Sequence, residues 1–262
     1  MRSEQLTKFG WLHILFIVLA VIFFALGIYF GYLMQGEKNQ RKRDLISSIL
    51  GLVLLSTELF RDIYAICVGN ASIDLIPFQI CSLPLFLLPL FYVFKKGFFK
   101  DCLIGHISFI NLVASIAYFV NPVAMLREKY VALSLQTALF HALLIGICAF
   151  VFVSYKEFGK KGIIDYIKGF GLFIVFSLVA VCANYIVNSL NSKPVLNLFY
   201  LYPTFPATFP IIDDLVRPHV PYPVYYFVFL ISLFVIGLVP YFLISGIDLI
   251  KQKLKESKWN TN

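Results

Sequence analysis

The chain has 262 residues, 60% of them hydrophobic and only 14% charged, with a formal net charge of +8 and a mean hydropathy of +0.85. Soluble domains run near half apolar and a quarter charged, so these totals exclude a water-soluble globular enzyme. The positive balance would suggest nucleic acid in a soluble protein. Here it falls in short connections between apolar runs, where it acts as a topology signal, and no nucleic-acid partner is expected.

Crossing a bilayer takes about 20 apolar residues at about 1.5 Å rise each. Seven segments qualify in chain order, at about 10–34, 46–69, 74–94, 101–120, 132–155, 163–190 and 224–249. They predict an all-α polytopic bundle of seven transmembrane helices, one domain over 1–262. The first segment starts at Trp11 after a short polar lead. It is longer than a signal-peptide core and has no small-x-small cleavage site after it, so it reads as a retained span.

The second segment contains "STELFRDIYAIC". Glu58, Arg61 and Asp62 stand at i, i+3 and i+4 and share a helical face, with Arg61 in reach of Glu58 and Asp62 left to point at a neighbour. The third carries Gln79, Cys81 and Ser82 within "IPFQICSLP". Gln79 and Cys81 lie about 200° apart on an ideal helix. Pro77 and Pro84 bracket them and are expected to unwind the stretch, which is tolerated in a membrane where it lines a cavity. The fourth segment carries His106 and Asn111, the fifth Gln136 and His141, and the sixth Asn184 and Tyr185.

The connection 191–223, "SKPVLNLFYLYPTFPATFPIIDDLVRPHVPYP" from Ser192, is too rich in proline for one helix and too apolar for a floppy surface loop. It is expected to fold over the mouth of the bundle as an extracellular lid. Residues 250–262 form a basic tail. Basic residues concentrate in the connections at 34–45, 95–100 and 156–162 and in that tail, including Arg43 and Lys100. This bias predicts an outside N-terminus and a cytoplasmic C-terminus. There is no internal repeat of the kind that marks inverted-repeat transporters.

In this topology Asp62, Cys81, His141 and Asn184 all fall roughly 9–14 Å below the outer surface. Ionisable and polar groups are costly in lipid, so four helices placing them at one level predict a shared recess. His106 sits nearer the cytoplasmic side. The five cysteines, Cys67, Cys81, Cys102, Cys148 and Cys182, are scattered singly. They indicate neither a disulfide framework nor a zinc site, and no metal or cofactor is expected. A thiol beside an imidazole is the minimal nucleophile–base pair for acyl transfer. Cys81 and His141 are therefore the candidate catalytic residues. Gln79 is a candidate oxyanion donor, Glu58 or Asp62 would orient His141, and Gln136, Asn184, Tyr185 and Arg61 are supporting polar groups.

Three motifs, "LIPFQICSLPLF", "TALFHALLIGI" about 60 residues further on, and "NYIVNSLNSKP" before the aromatic connection, together resemble the YwaF-like bacterial integral membrane proteins. That family is related to a vertebrate transmembrane acyltransferase that remodels phospholipids. The resemblance spans roughly residues 45–245. It implies that Cys81 and His141 occupy the places of the Cys and His regarded as the catalytic pair in the vertebrate relatives. Where the bacterial pattern reads Leu-Pro-Leu-His-Leu-Cys, this chain has Ile-Pro-Phe-Gln-Ile-Cys, with Gln79 in place of the His.

The leading expectation is a multi-pass cell-membrane acyltransferase whose partner is a membrane phospholipid or other acyl lipid. An ion-coupled small-molecule transporter using the Glu58/Arg61/Asp62 and His141 groups is one alternative. A non-catalytic lipid-binding membrane protein is the other.

Overall fold

A computed structural model describes residues 10–70, 76–120, 130–155, 162–191, 193, 195–203 and 216–259, with side chains through residue 242. The described residues are helices and turns, with no strand among them. Five helices are long and apolar enough to cross a membrane: Trp11–Leu33, Phe98–Val120, Val131–Ser154, Gly162–Ser189 and Tyr222–Phe242. Two further segments expected to span fall outside these five. One is a helix too charged to count on composition, and the other is broken.

Helix α1, Trp11–Leu33, is apolar on all sides. It buries only the stripe His13, Phe16, Ala20, Gly27 and Gly31, leaving large residues such as Val21 and Phe30 exposed, as suits a helix facing lipid. That stripe packs on α7, Val131–Ser154, the most enclosed of the long helices. A Cβ at Gly27 would collide with the Gly146 carbonyl, and one at Gly31 with Val153. Small residues let membrane helices approach backbone to backbone, where dispersion replaces the missing hydrophobic drive.

Helix α2, Gln40–Cys67, is patterned the other way. Its buried stripe runs Arg43, Asp44, Ser47, Ser48, Gly51, Leu54 and Glu58, while Leu52, Val53, Leu59 and Phe60 are exposed. Gly51 faces Leu88 and Pro89 of the broken segment so closely that a Cβ would lie 2.7 Å from each. The break follows the prolines, as expected. Residues 76–79 are not helical, Ile80–Ser82 make a 3₁₀ turn, and two single-turn helices follow, α3 (Pro84–Leu87) and α4 (Leu90–Val93).

The next helix is a composite: α5 (Phe98–Gly105), a π-turn (His106–Asn111) and α6 (Leu112–Val120). It crosses α8, Gly162–Ser189, at Gly105 and Gly169: a Cβ on Gly105 would strike the Asp165 carbonyl, and one on Gly169 the Gly105–His106 peptide. The last helix, α9, runs Tyr222–Trp259, through Pro240 and well past the apolar run of the sequence. Much of the 250–262 segment is thus helical.

At the end of the bundle opposite Gly10, two of the expected loop cations are not in solvent. Arg43 and Lys100 are 4% and 3% exposed. Lys100 Nζ donates to Asp44 Oδ1 at 2.7 Å and to the Phe91 carbonyl at 2.6 Å, over the face of the Phe91 ring. The Tyr155 hydroxyl donates to the same Asp44 oxygen. Arg43 Nη1 donates to the carbonyls of Met34, Gly36 and Ser154, tying together the C-terminal ends of α1 and α7. Both residues are structural cations. They sit at helix ends because unsatisfied C-terminal carbonyls attract positive charge there.

Candidate functional site

Near the other end of the bundle, the polar residues of α2, the broken segment, α6, α7 and α8 converge. On α2, Arg61 lies between two carboxylates: Nη1 is 2.6 Å from Glu58 Oε1 and Nη2 is 2.9 Å from Asp62 Oδ1. Asp62 therefore does not reach out to another helix as expected, because its oxygen is bound by the guanidinium one residue earlier. Glu58 is the deepest of the three, 2% exposed. From α7, Gln136 Nε2 donates to the Thr57 carbonyl at 3.1 Å and approaches Glu58 Oε2 at 3.5 Å.

His141 is five residues beyond Gln136 on α7. Its Nδ1 is 2.8 Å from the carbonyl of Thr137 on its own helix. A carbonyl only accepts, so Nδ1 carries the proton, and Nε2 of the neutral ring is left with a lone pair. The orienting acceptor is thus a backbone carbonyl, not the Glu58 or Asp62 carboxylate expected from the sequence. The Tyr118 ring of α6 lies flat on the imidazole, centroids 3.7 Å apart and planes 6° apart.

Cys81 sits in the 3₁₀ turn, half-buried beside the buried Ser82. It lies within the electrostatic reach of Glu58 and Arg61, and His141 within that of Arg61. No hydrogen bond joins the Cys81 thiol to the His141 ring in this state. The other cysteines are either exposed on helix surfaces (Cys67, Cys182) or buried away from the convergence (Cys102, Cys148), and all five are free.

Gln79 does something the sequence reading missed. Its Oε1 accepts from the Phe199 amide at 2.8 Å, and its Nε2 donates to the Asn197 carbonyl at 3.2 Å. Its amide grips the connection after α8 and is not held toward Cys81 as an oxyanion donor.

Asn184 and Asn188 grip the same connection. Asn184 exchanges two bonds with the Leu198 backbone, at 2.9 and 2.7 Å. Asn188 Nδ2 donates to the Leu196 carbonyl, and its Oδ1 accepts from the amides of Val195 and Leu196. The spacing explains the pairing: four helical residues rise about 6 Å, close to the span of two extended residues. Side-chain amides thus stand in for the strand that this buried backbone lacks.

Leu196, Leu198, Phe199 and Leu201 are buried, and Phe199 is stacked between Phe78 and Phe173. The expected lid is therefore, over residues 195–203, a tucked-in segment. Residues 204–215 of the lid lie outside the described part. Phe199 and Tyr200 have φ of 56° and 59°, a left-handed conformation that costs non-glycine residues roughly 1–2 kcal/mol each. The three amides hold it in place.

Tyr185 is not part of the convergence. It is 45% exposed and meets the rings of Tyr202 and Tyr222 edge-on. His106, on the π-turn, is fully buried against α8, with Nδ1 3.4 Å from the Gly169 carbonyl.

Long apolar helices around a buried polar convergence, with a helix broken at mid-depth, define a multi-pass helical membrane protein. The chain belongs to the TMEM164 family, whose family model matches residues 8–241. No curated protein matches it, and no solved structure does.

Proposed function

We propose that this chain is a seven-pass cell-membrane acyltransferase, with its N-terminus outside and C-terminus in the cytoplasm, that moves a fatty-acyl group between membrane lipids through Cys81 and His141. The observation that carries the reading is the state of His141. Its Nδ1–H is fixed on the Thr137 carbonyl, so Nε2 is left with the lone pair that can take a proton. The resemblance of the Cys81 and His141 motifs to a phospholipid-remodelling family supports the substrate class.

In the first half-reaction the Cys81 thiol proton passes to His141 Nε2 and the sulfur attacks the acyl carbonyl carbon of a donor phospholipid. The carbon–oxygen ester bond breaks, and the departing lysophospholipid alkoxide takes the proton back from the imidazolium. This leaves an acyl-thioester on Cys81. In the second half-reaction His141 takes the hydroxyl proton of an acceptor lysolipid, whose oxygen attacks the thioester. The thiolate leaves and is reprotonated by His141. Glu58 and Asp62 pair with Arg61 and offset its positive charge, which would otherwise oppose the imidazolium that forms in each half-reaction.

The test is acyl transfer by purified protein in vesicles holding an isotopically labelled phosphatidylethanolamine and an unlabelled lysophospholipid. Labelled product that disappears with Cys81→Ala and with His141→Ala supports the reading. Unlabelled acceptor throughout contradicts it. Flux of a small solute or protons that needs Asp62 and survives Cys81→Ala favours the transporter instead.

A further inference from the structure

Pro84 has no N–H, so the carbonyl four residues before it, that of Ile80, is left without its helical partner. Asn111 takes it: Nδ2 donates to the Ile80 oxygen at 2.6 Å. That carbonyl and the Cys81 amide belong to one rigid peptide plane, so the bond fixes the backbone entering Cys81. Asn111 is fully buried, and its Oδ1 has no partner among the described residues.

Seven residues further along the same helical stripe, Tyr118 is stacked on His141 at 3.7 Å, closer than the 4.5–7 Å usual for aromatic pairs. With Nδ1 on the Thr137 carbonyl, the stack fixes the plane of the imidazole and therefore the direction of Nε2. Tyr118 stands about 10 Å along the helix axis from Asn111. Helical side chains lean toward the N-terminus, so its ring comes back toward the level of Asn111.

Both residues point this way because of the π-turn. The extra residue in His106–Asn111 rotates α6 against α5 by roughly 100°, about one helical residue. Gly105 and His106 stay against α8, while Asn111, Ser115 and Tyr118 turn toward the broken segment and α7. The Ser115 hydroxyl donates to the Asn111 carbonyl at 2.7 Å, one turn back on the same helix.

We propose that Asn111 and Tyr118 are positioning residues, one holding the Cys81 peptide and the other the His141 ring, and that the π-turn is the device that aims both. The inference rests on the acyl-transfer reading for its chemistry. The charged and titratable groups around the pair are Glu58, Arg61 and Asp62 from α2, Cys81 from the broken segment, and His13 from α1, whose Nε2 is 3.0 Å from the Phe119 carbonyl. The variants below leave all of them unchanged.

The test uses full-length protein in phosphatidylethanolamine–phosphatidylglycerol vesicles. Alkylation of Cys81 by a membrane-permeant maleimide is followed against pH by peptide mass spectrometry, and acyl transfer is measured in parallel. Tyr118→Leu should move the alkylation profile toward that of His141→Ala and lower acyl transfer roughly 10- to 100-fold, the scale of a misplaced reacting group. Tyr118→Phe keeps the ring face and should restore the wild-type profile. Tyr118→Met, which also lacks an aromatic face, replaces the leucine variant if that one fails to fold. Asn111→Ala should slow alkylation at every pH without moving the midpoint.

A folded Tyr118→Leu or Tyr118→Met protein with the wild-type alkylation profile overturns the proposal. If wild-type protein transfers no acyl group but the profile still shifts with Tyr118→Leu, the acyl reading fails and the positioning role stands.

Discussion

Asn184 holds Leu198 by both ends of its amide, donating to its carbonyl at 2.9 Å and accepting from its N–H at 2.7 Å. Both residues are buried, so neither backbone group has water as an alternative. Replacing Asn184 by the similarly sized Leu leaves both unpaired, at about 1–3 kcal/mol each. The expected outcome is a lower thermal midpoint in detergent and new protease cleavage within 195–203. Asn188→Leu should act the same way, and the double variant should lose less than the sum, because the first loss already frees the shared segment.

Lys100 and Asp44 form a buried pair at the opposite end, 2.7 Å apart. Lys100→Met or Asp44→Leu alone strands a charge and should destabilise by about 3–5 kcal/mol. The double replacement should recover much of that loss, since two apolar side chains carry no uncompensated charge. Thermal melting of the three proteins in one detergent checks the order. A double variant as unstable as the worse single one contradicts it.

Gly105 and Gly169 bring α5 and α8 into backbone contact. Each alanine variant must push the helices apart. Overpacking of this kind typically costs about 1–3 kcal/mol. Gly171, two residues on and about 200° around the helix, has nothing within 4 Å of an added Cβ. Gly171→Ala should be neutral or mildly stabilising, from the better helix propensity of alanine. Comparison of the two melting curves tests whether the crossing, and not glycine itself, matters.

The long apolar helices were legible in the sequence because a lipid-facing segment advertises itself by length alone. The break around Cys81 was legible too, because Pro77 and Pro84 act locally whatever packs beside them. What packs beside them was not. The π-turn that rotates Asn111 and Tyr118 has no composition of its own. Gln79 and Asn184 looked like cavity-lining groups, yet they hold the backbone of a segment more than 100 and 14 residues away, respectively.

Arg43 and Lys100 were read only as topology signals for the same kind of reason. Charge within a few residues of a span end looks alike in sequence whether it enters solvent or turns back to cap carbonyls, and only the neighbouring helix ends decide. Tyr185, adjacent to Asn184, shows the limit of reading depth without face: one residue of offset moved it about 100° around α8, onto the exposed side.

The central claim is a covalent acyl group on one sulfur. Peptide mass spectrometry of full-length protein, quenched in acid after brief exposure to a defined phospholipid without acceptor, reads it directly. The account predicts a hydroxylamine-sensitive mass increment equal to the donor's acyl chain on the peptide containing Cys81, lost on adding a lysolipid acceptor and absent from Cys81→Ala. An unmodified Cys81 peptide in folded protein across several donor lipids, or an equal increment on the exposed Cys67 and Cys182, would contradict it.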